Sequence, residues 1–116
     1  MIAAIAAAVL ALASQWTWSL YEDPAAVVLS HEVPDTDLLR TVFECSPGTG
    51  RVKATAYPDP AQPKDRFTLE IPTAGAPFQS FLKSGRLILK AEGGQAAVSV
   101  PREHRPKLVQ FAKLCG

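Results

Sequence analysis

A chain of 116 residues with a net charge of +1 has room for one domain, with a core near the lower size at which burial alone stabilises a fold. Twelve basic side chains against eleven acidic ones give no case for nucleic-acid binding, which needs a basic surplus on one face. Ten prolines, spread from Pro24 to Pro106, exclude long helices, because each removes a backbone donor and clashes with the turn before it.

The first thirteen residues, MIAAIAAAVLALA, carry no charged side chain and end in Ala11-Leu12-Ala13. An apolar run closed by a small-x-small motif is the pattern of a secretory signal peptide, and it predicts cleavage between Ala13 and Ser14. The run falls short of the roughly 20 residues a membrane span needs, and Gln15, Thr17 and Ser19 interrupt any extension. Residues 1–13 are therefore expected as a removed signal and residues 14–116 as a single exported domain with no stable membrane anchor.

Beyond that point apolar residues alternate between the prolines: Trp16, Trp18 and Leu20; Val27 and Leu29; Thr41, Phe43 and Cys45; Val52, Ala54 and Ala56; Phe67, Leu69 and Ile71. A period of two bounded by turn residues predicts half-buried strands. A loop through Ser46-Pro47-Gly48-Thr49-Gly50 predicts a hairpin, and Phe43 shares a face with Ala54 only if that loop has an even number of residues, because a one-residue slip reverses the faces. PDPAQPKD, residues 58–65, reads as a surface loop or edge connection.

PFQSFLKSG predicts a short helix, with Pro77 in its first turn and Gly85 at its end. RLILKAEGGQAAVSV predicts a hairpin turning on Gly93-Gly94, with Leu89 opposite Val98 and Leu87 opposite Val100. In RPKLVQFAKLCG, Leu108, Phe111, Ala112 and Cys115 fall on one helical stripe, which turns Cys115 inward. The fold class expected is mainly β, an antiparallel sandwich or small barrel with two short helices.

Two cysteines in an exported chain predict one disulfide, Cys45 to Cys115, which ties the C-terminal helix to a strand. Charge is unevenly placed. Residues 14–50 hold six acids and one base, Arg40, whereas residues 83–116 hold seven bases and two acids, so the two ends of the chain are expected to lie against each other.

Candidate chemistry is sparse. His31 falls in step with Val27, Leu29 and Val33, which places it in or at the rim of the core; His104, in PREHRP, reads as a solvated turn residue. SPGTGR lacks the spacing of a phosphate loop and the helix that should follow it. Glu22-Asp23 and Asp35-Asp37 sit beside prolines as turn residues rather than as a glycosidase pair, and no nucleophile elbow surrounds a serine. No catalytic residue, metal site or cofactor is assigned. The candidate binding surface is Trp16, Trp18, Tyr21 and His31, from QWTWSLY and its neighbouring strand, with at least one tryptophan expected in the core.

A tryptophan soon after the signal segment, an early VVLS strand, an FEC strand followed by a basic strand, PFQSFLKSGRLIL, a final strand and a terminal LVQFAKLC helix together resemble a group of small, uncharacterised exported proteins of Gram-negative bacteria. Relatives of that layout include periplasmic proteins associated with type VI secretion. The resemblance implies a periplasmic β-rich domain with joined cysteines and implies no activity. FEC followed by RVKATAY is also similar to periplasmic inhibitors of C-type lysozyme, whose inhibitory loop reads Ser-Gly-x-x-Tyr; here Ser84-Gly85 has no tyrosine after it.

The expected function is that of a non-enzymatic periplasmic protein acting through contacts with a periplasmic protein partner, in envelope or secretion-system assembly. Three other functions compete with it: a glycan or small-ligand binder using the aromatic surface, a lysozyme-inhibitor-like protein, and a hydrolase using His31. The oligomeric state is left open.

Overall fold

The computed structural model describes residues 15–116, so the cleavage expected between Ala13 and Ser14 lies outside the described residues. Within them the strands are β1 (Thr17–Glu22), β2 (Val27–Glu32), β3 (Leu39–Cys45), β4 (Arg51–Ala56), β5 (Phe67–Pro72), β6 (Arg86–Ala91) and β7 (Gly94–Ser99). The helices are α1 (Ala76–Ser84) and α2 (Arg105–Cys115). β1 to β5 form an antiparallel meander in chain order, and β6 with β7 form a separate hairpin sheet. The fold is therefore mainly β, with two antiparallel sheets and two helices. Among the described residues no helix is long and apolar enough to cross a membrane.

The alternation read from the sequence is the core. Trp18, Val27, Leu29, Phe43, Cys45, Val52, Ala54, Ala56, Phe67 and Ile71 are all buried on one face of the meander. Facing them are Phe78 and Phe81 of α1, Leu87, Leu89 and Val98 of the hairpin, and Leu108, Phe111 and Cys115 of α2. Phe43 lies at the centre, with Phe81 at 5.4 Å and Phe111 at 6.3 Å between ring centroids, spacings in the range favoured by aromatic pairs.

The β3–β4 register pairs Phe43 with Ala54 and Glu44 with Lys53, the even-loop parity the sequence required. The loop glycines have a second use. Gly48 and Gly50 adopt left-handed φ of 76° and 72°, and their N–H groups donate to the carbonyls of Leu114 (2.9 Å) and Cys115 (2.7 Å). Those are last-turn carbonyls, which have no partner within the helix. Cys45 and Cys115 are disulfide-bonded beside them, Cα to Cα 5.8 Å, so the end of α2 is held by one covalent and two polar ties.

The second hairpin differs from its expected register. Ala91 is opposite Gly94, Leu89 opposite Ala96 and Leu87 opposite Val98, so the turn is Glu92-Gly93, not Gly93-Gly94. The offset equals a two-residue shift of one strand against the other, and it leaves every side chain on its expected face. Contacts outside the hairpin select this register. A Cβ at Gly94 would lie 3.1 Å from the Phe67 ring, so glycine lets the tip settle on β5. At the other end the Val100 N–H donates to the Gly85 carbonyl at 2.7 Å, which makes Gly85, not Leu87, the partner of Val100.

Arg105 locks that corner. Gly85 ends α1 with φ 74° and its N–H on the Phe81 carbonyl. The Arg105 guanidinium sits against it, donating to the carbonyls of Ser84 and Val100. A Cβ on Gly85 would fall 2.3 Å from the Arg105 Nε, so glycine is required there by both backbone angle and space.

Candidate functional site

Trp18 and His31 are cross-strand partners on β1 and β2. Their rings stack at 4.8 Å and an interplanar angle of 5°, and the other side of Trp18 meets Phe43 at 6.2 Å. Trp16 meets His31 at 5.5 Å. The β2–β3 pairing is irregular here: His31 is opposite Thr41 but Glu32 is opposite Leu39. Arg40 is the unopposed residue of that bulge, and a bulge re-aims the side chain it carries. Its guanidinium lies over Trp16, 4.1 Å from the ring centroid.

Trp18, His31, Arg40 and Thr41 belong to the lining of a groove of about 410 Å³. Trp18 and Thr41, both buried, make its floor; His31, Arg40, Tyr57 and Pro58 make one wall, and strand β7 from Gln95 to Ser99 makes the other. No carboxylate is among the lining residues. His31 is half-buried, and burial, then the charges of Arg40 and His104, lower its pKa to about 4. The imidazole is thus neutral across the ordinary pH range, a flat partner for Trp18.

Behind the groove, the Lys107 Nζ donates to the Trp18 carbonyl at 2.6 Å and to His104 Nδ1 at 3.3 Å. His104, expected as a solvated turn residue, has a side chain only 22% exposed, because α2 carries it back against β1. The four residues read from the sequence as one surface do not share a face. Trp16, Trp18 and His31 come together, whereas Tyr21 lies on the opposite face of β1, half exposed, with its hydroxyl donating to the Glu32 carboxylate. That bond, with burial, raises the Tyr21 pKa.

Most of the aromatic surface is already occupied. Trp18, 2% exposed, lies against His31 and Phe43 and offers no open ring on which a sugar stacks, and Arg40 covers one face of Trp16. What the groove does offer is backbone. Val100 bonds Gly85 across the hairpin, and in an antiparallel pair bonded and non-bonded residues alternate. Val98 and Ala96 therefore face β6, while the N–H and C=O groups of Gln95, Ala97 and Ser99 point out of the hairpin. Among the described residues those groups have no hydrogen-bond partner.

Two other edges are covered at one residue each: Lys107 occupies the Trp18 carbonyl on β1, and the Ser84 hydroxyl bonds both the N–H and the carbonyl of Arg86 on β6. Natural sheets commonly cover an edge in this way.

Sequence reasoning named Trp16, Trp18 and His31 but missed Arg40, Tyr57 and β7. The signal available was Arg40 as the lone base among six acids in residues 14–50. No three His, Cys, Asp or Glu side chains converge as a metal site among the described residues. Comparison with protein-family models, with curated proteins and with solved structures finds no match.

Proposed function

We propose that this is an exported, non-enzymatic protein that works in the periplasm by contact with another protein, in envelope or secretion-system assembly. The observation that carries this reading is the groove between β7 and the Trp18–His31 stack, where an unpaired strand edge borders a floor of Trp18 and Thr41 with a cation at its rim. The disulfide supports the compartment, since such bonds persist where the surroundings are oxidising.

The lysozyme-inhibitor alternative has less support. Ser84-Gly85-Arg86 is the turn from α1 into β6, held by Arg105 and by the Ser84 hydroxyl, not a projecting loop. A small-ligand reading keeps one point in its favour, because about 410 Å³ falls within the usual size of ligand pockets. Trp16 and Trp18 report on it directly. Their fluorescence, titrated with peptidoglycan fragments and lipids, stays flat if the groove takes protein and shifts if it takes such ligands.

The main test uses oxidised protein as bait in a periplasmic extract. Thr41→Arg fills the groove floor and Val109→Arg alters the far face, where Val109 is 44% exposed. A partner held by the wild type and by Val109→Arg but lost with Thr41→Arg supports the reading. Repeated failure of oxidised bait to retain any partner, or retention unaffected by Thr41→Arg, counts against it.

A further inference from the structure

Resting on that reading of the groove, we infer that β7 takes an extended segment of the partner by strand addition, and that the segment carries a carboxylate which pairs with Arg40. Two observations choose this occupant. The first is the spacing of free backbone groups. Gln95, Ala97 and Ser99 present donor and acceptor at every second residue along about 13 Å of strand, and only another extended backbone matches that repeat. An added strand gains main-chain hydrogen bonds from the edge and specificity from pockets under alternate side chains. Here those side chains fall on the floor made by Trp18 and Thr41, between His31 and Tyr57.

The second observation is charge. Arg40 stands at the rim with its guanidinium over Trp16, no carboxylate lines the groove, and no salt bridge engages Arg40 among the described residues. His104 and Lys107 lie on the same side, behind Trp18. An acidic side chain on the incoming segment meets a cation already held in place by its ring contact, whereas a lysine there meets like charge. The other exposed apolar spots lack that combination: Ile88, on the outer face of the hairpin, is 56% exposed, but the β6 edge it lies on has its Arg86 groups taken by Ser84 and lines no part of the groove.

The probe is an acetylated, amidated heptapeptide of Thr and Val around a central Glu, compared with its counterpart bearing a central Lys. Both are titrated to millimolar concentration into 15N-labelled oxidised protein. The expected result is that the amides of Gln95, Ala97 and Ser99 shift and gain protection from exchange, with the Glu peptide about fivefold tighter, the worth of one exposed ion pair. Arg40→Glu reverses that order. Two further peptides carry backbone N-methyl groups on alternate residues, one set or the other. Only one set faces β7, so one of them binds like the parent and the other loses about tenfold or more.

On the protein side, Ala97→Pro removes the outward N–H without touching a bond to β6, a place where an edge strand tolerates proline. It weakens binding while leaving the remainder of the spectrum in place. The N-methyl pair gives the same answer if that variant does not fold.

Equal binding by both N-methylated peptides overturns strand addition, even where bait experiments still retain a groove-dependent partner. Equal binding of Glu and Lys peptides overturns the carboxylate. Absence of any β7 shift with every peptide overturns both. Protection of the β7 amides that rises with protein concentration alone assigns the edge to a second copy of this chain and likewise overturns the proposal.

Discussion

Replacing both cysteines, Cys45→Ala with Cys115→Ala, removes the staple without leaving a buried hydroxyl or a free thiol. The two lie 70 residues apart in sequence, and chain entropy for a loop of that size gives about 4 kcal/mol. The whole stability of a small domain is about 5–15 kcal/mol, so the staple is a large share of it. At about 4–8 °C per kcal/mol for a domain near this size, the double variant melts about 15 °C or more below the oxidised wild type.

What remains is also specified. Gly48 and Gly50 still bond the Leu114 and Cys115 carbonyls, and Leu108 and Phe111 stay fully buried, so α2 loosens from its end rather than dissociating. Thermal unfolding by circular dichroism gives the melting temperature, and hydrogen exchange locates the loss in residues 112–116. A melting temperature within about 3 °C of the oxidised wild type, on the same conversion, refutes the argument that this core depends on its covalent tie.

Other outcomes follow from single contacts. Lys107→Met removes the charged donor to the Trp18 carbonyl and costs about 1.5–3 kcal/mol, with faster exchange along β1; denaturant midpoints check it. Gly85→Ala puts a Cβ into Arg105 at a left-handed φ and destabilises by about 2 kcal/mol or more, more than Gly116→Ala at the chain end. His31 gives a pH effect whose sign is fixed by its lowered pKa. The folded state resists protonation that the unfolded chain accepts, so the stability is complete above about pH 6.5 and is lost as pH falls toward about 4. His31→Phe removes that component of the acid sensitivity, read as urea midpoints at about pH 7 and about pH 4.5.

The parts of the fold visible in the sequence are those set by local pattern. Alternation placed Phe43, Cys45, Val52 and Ala54 on one face, and the helical stripe turned Cys115 inward to meet Cys45. Moving a two-residue turn by one position shifts the register by two and so keeps parity, which is why the β6–β7 faces are as expected although the turn moved. The register itself depended on Phe67 beneath Gly94 and on Gly85 opposite Val100, contacts no local pattern contains.

The site was less legible for the same reason. Trp16, Trp18 and His31 were found because they sit on adjacent strands in alternation, and Tyr21 was grouped with them by sequence proximity although odd and even positions of a strand face opposite ways. Arg40 reaches Trp16 only through a bulge. The groove closes only when residues 95–99 come against Trp18, His31, Arg40, Thr41, Tyr57 and Pro58, and its free edge is set by which β7 groups point away from β6.

Site-specific photo-crosslinking in the living cell decides whether a partner lies along β7, with a benzophenone amino acid in place of Ala97 at the groove edge and, separately, in place of Val109 on the far face. A discrete covalent adduct from position 97 and none from position 109 is the predicted result. Adducts from position 109 alone would contradict a partner-binding groove at β7.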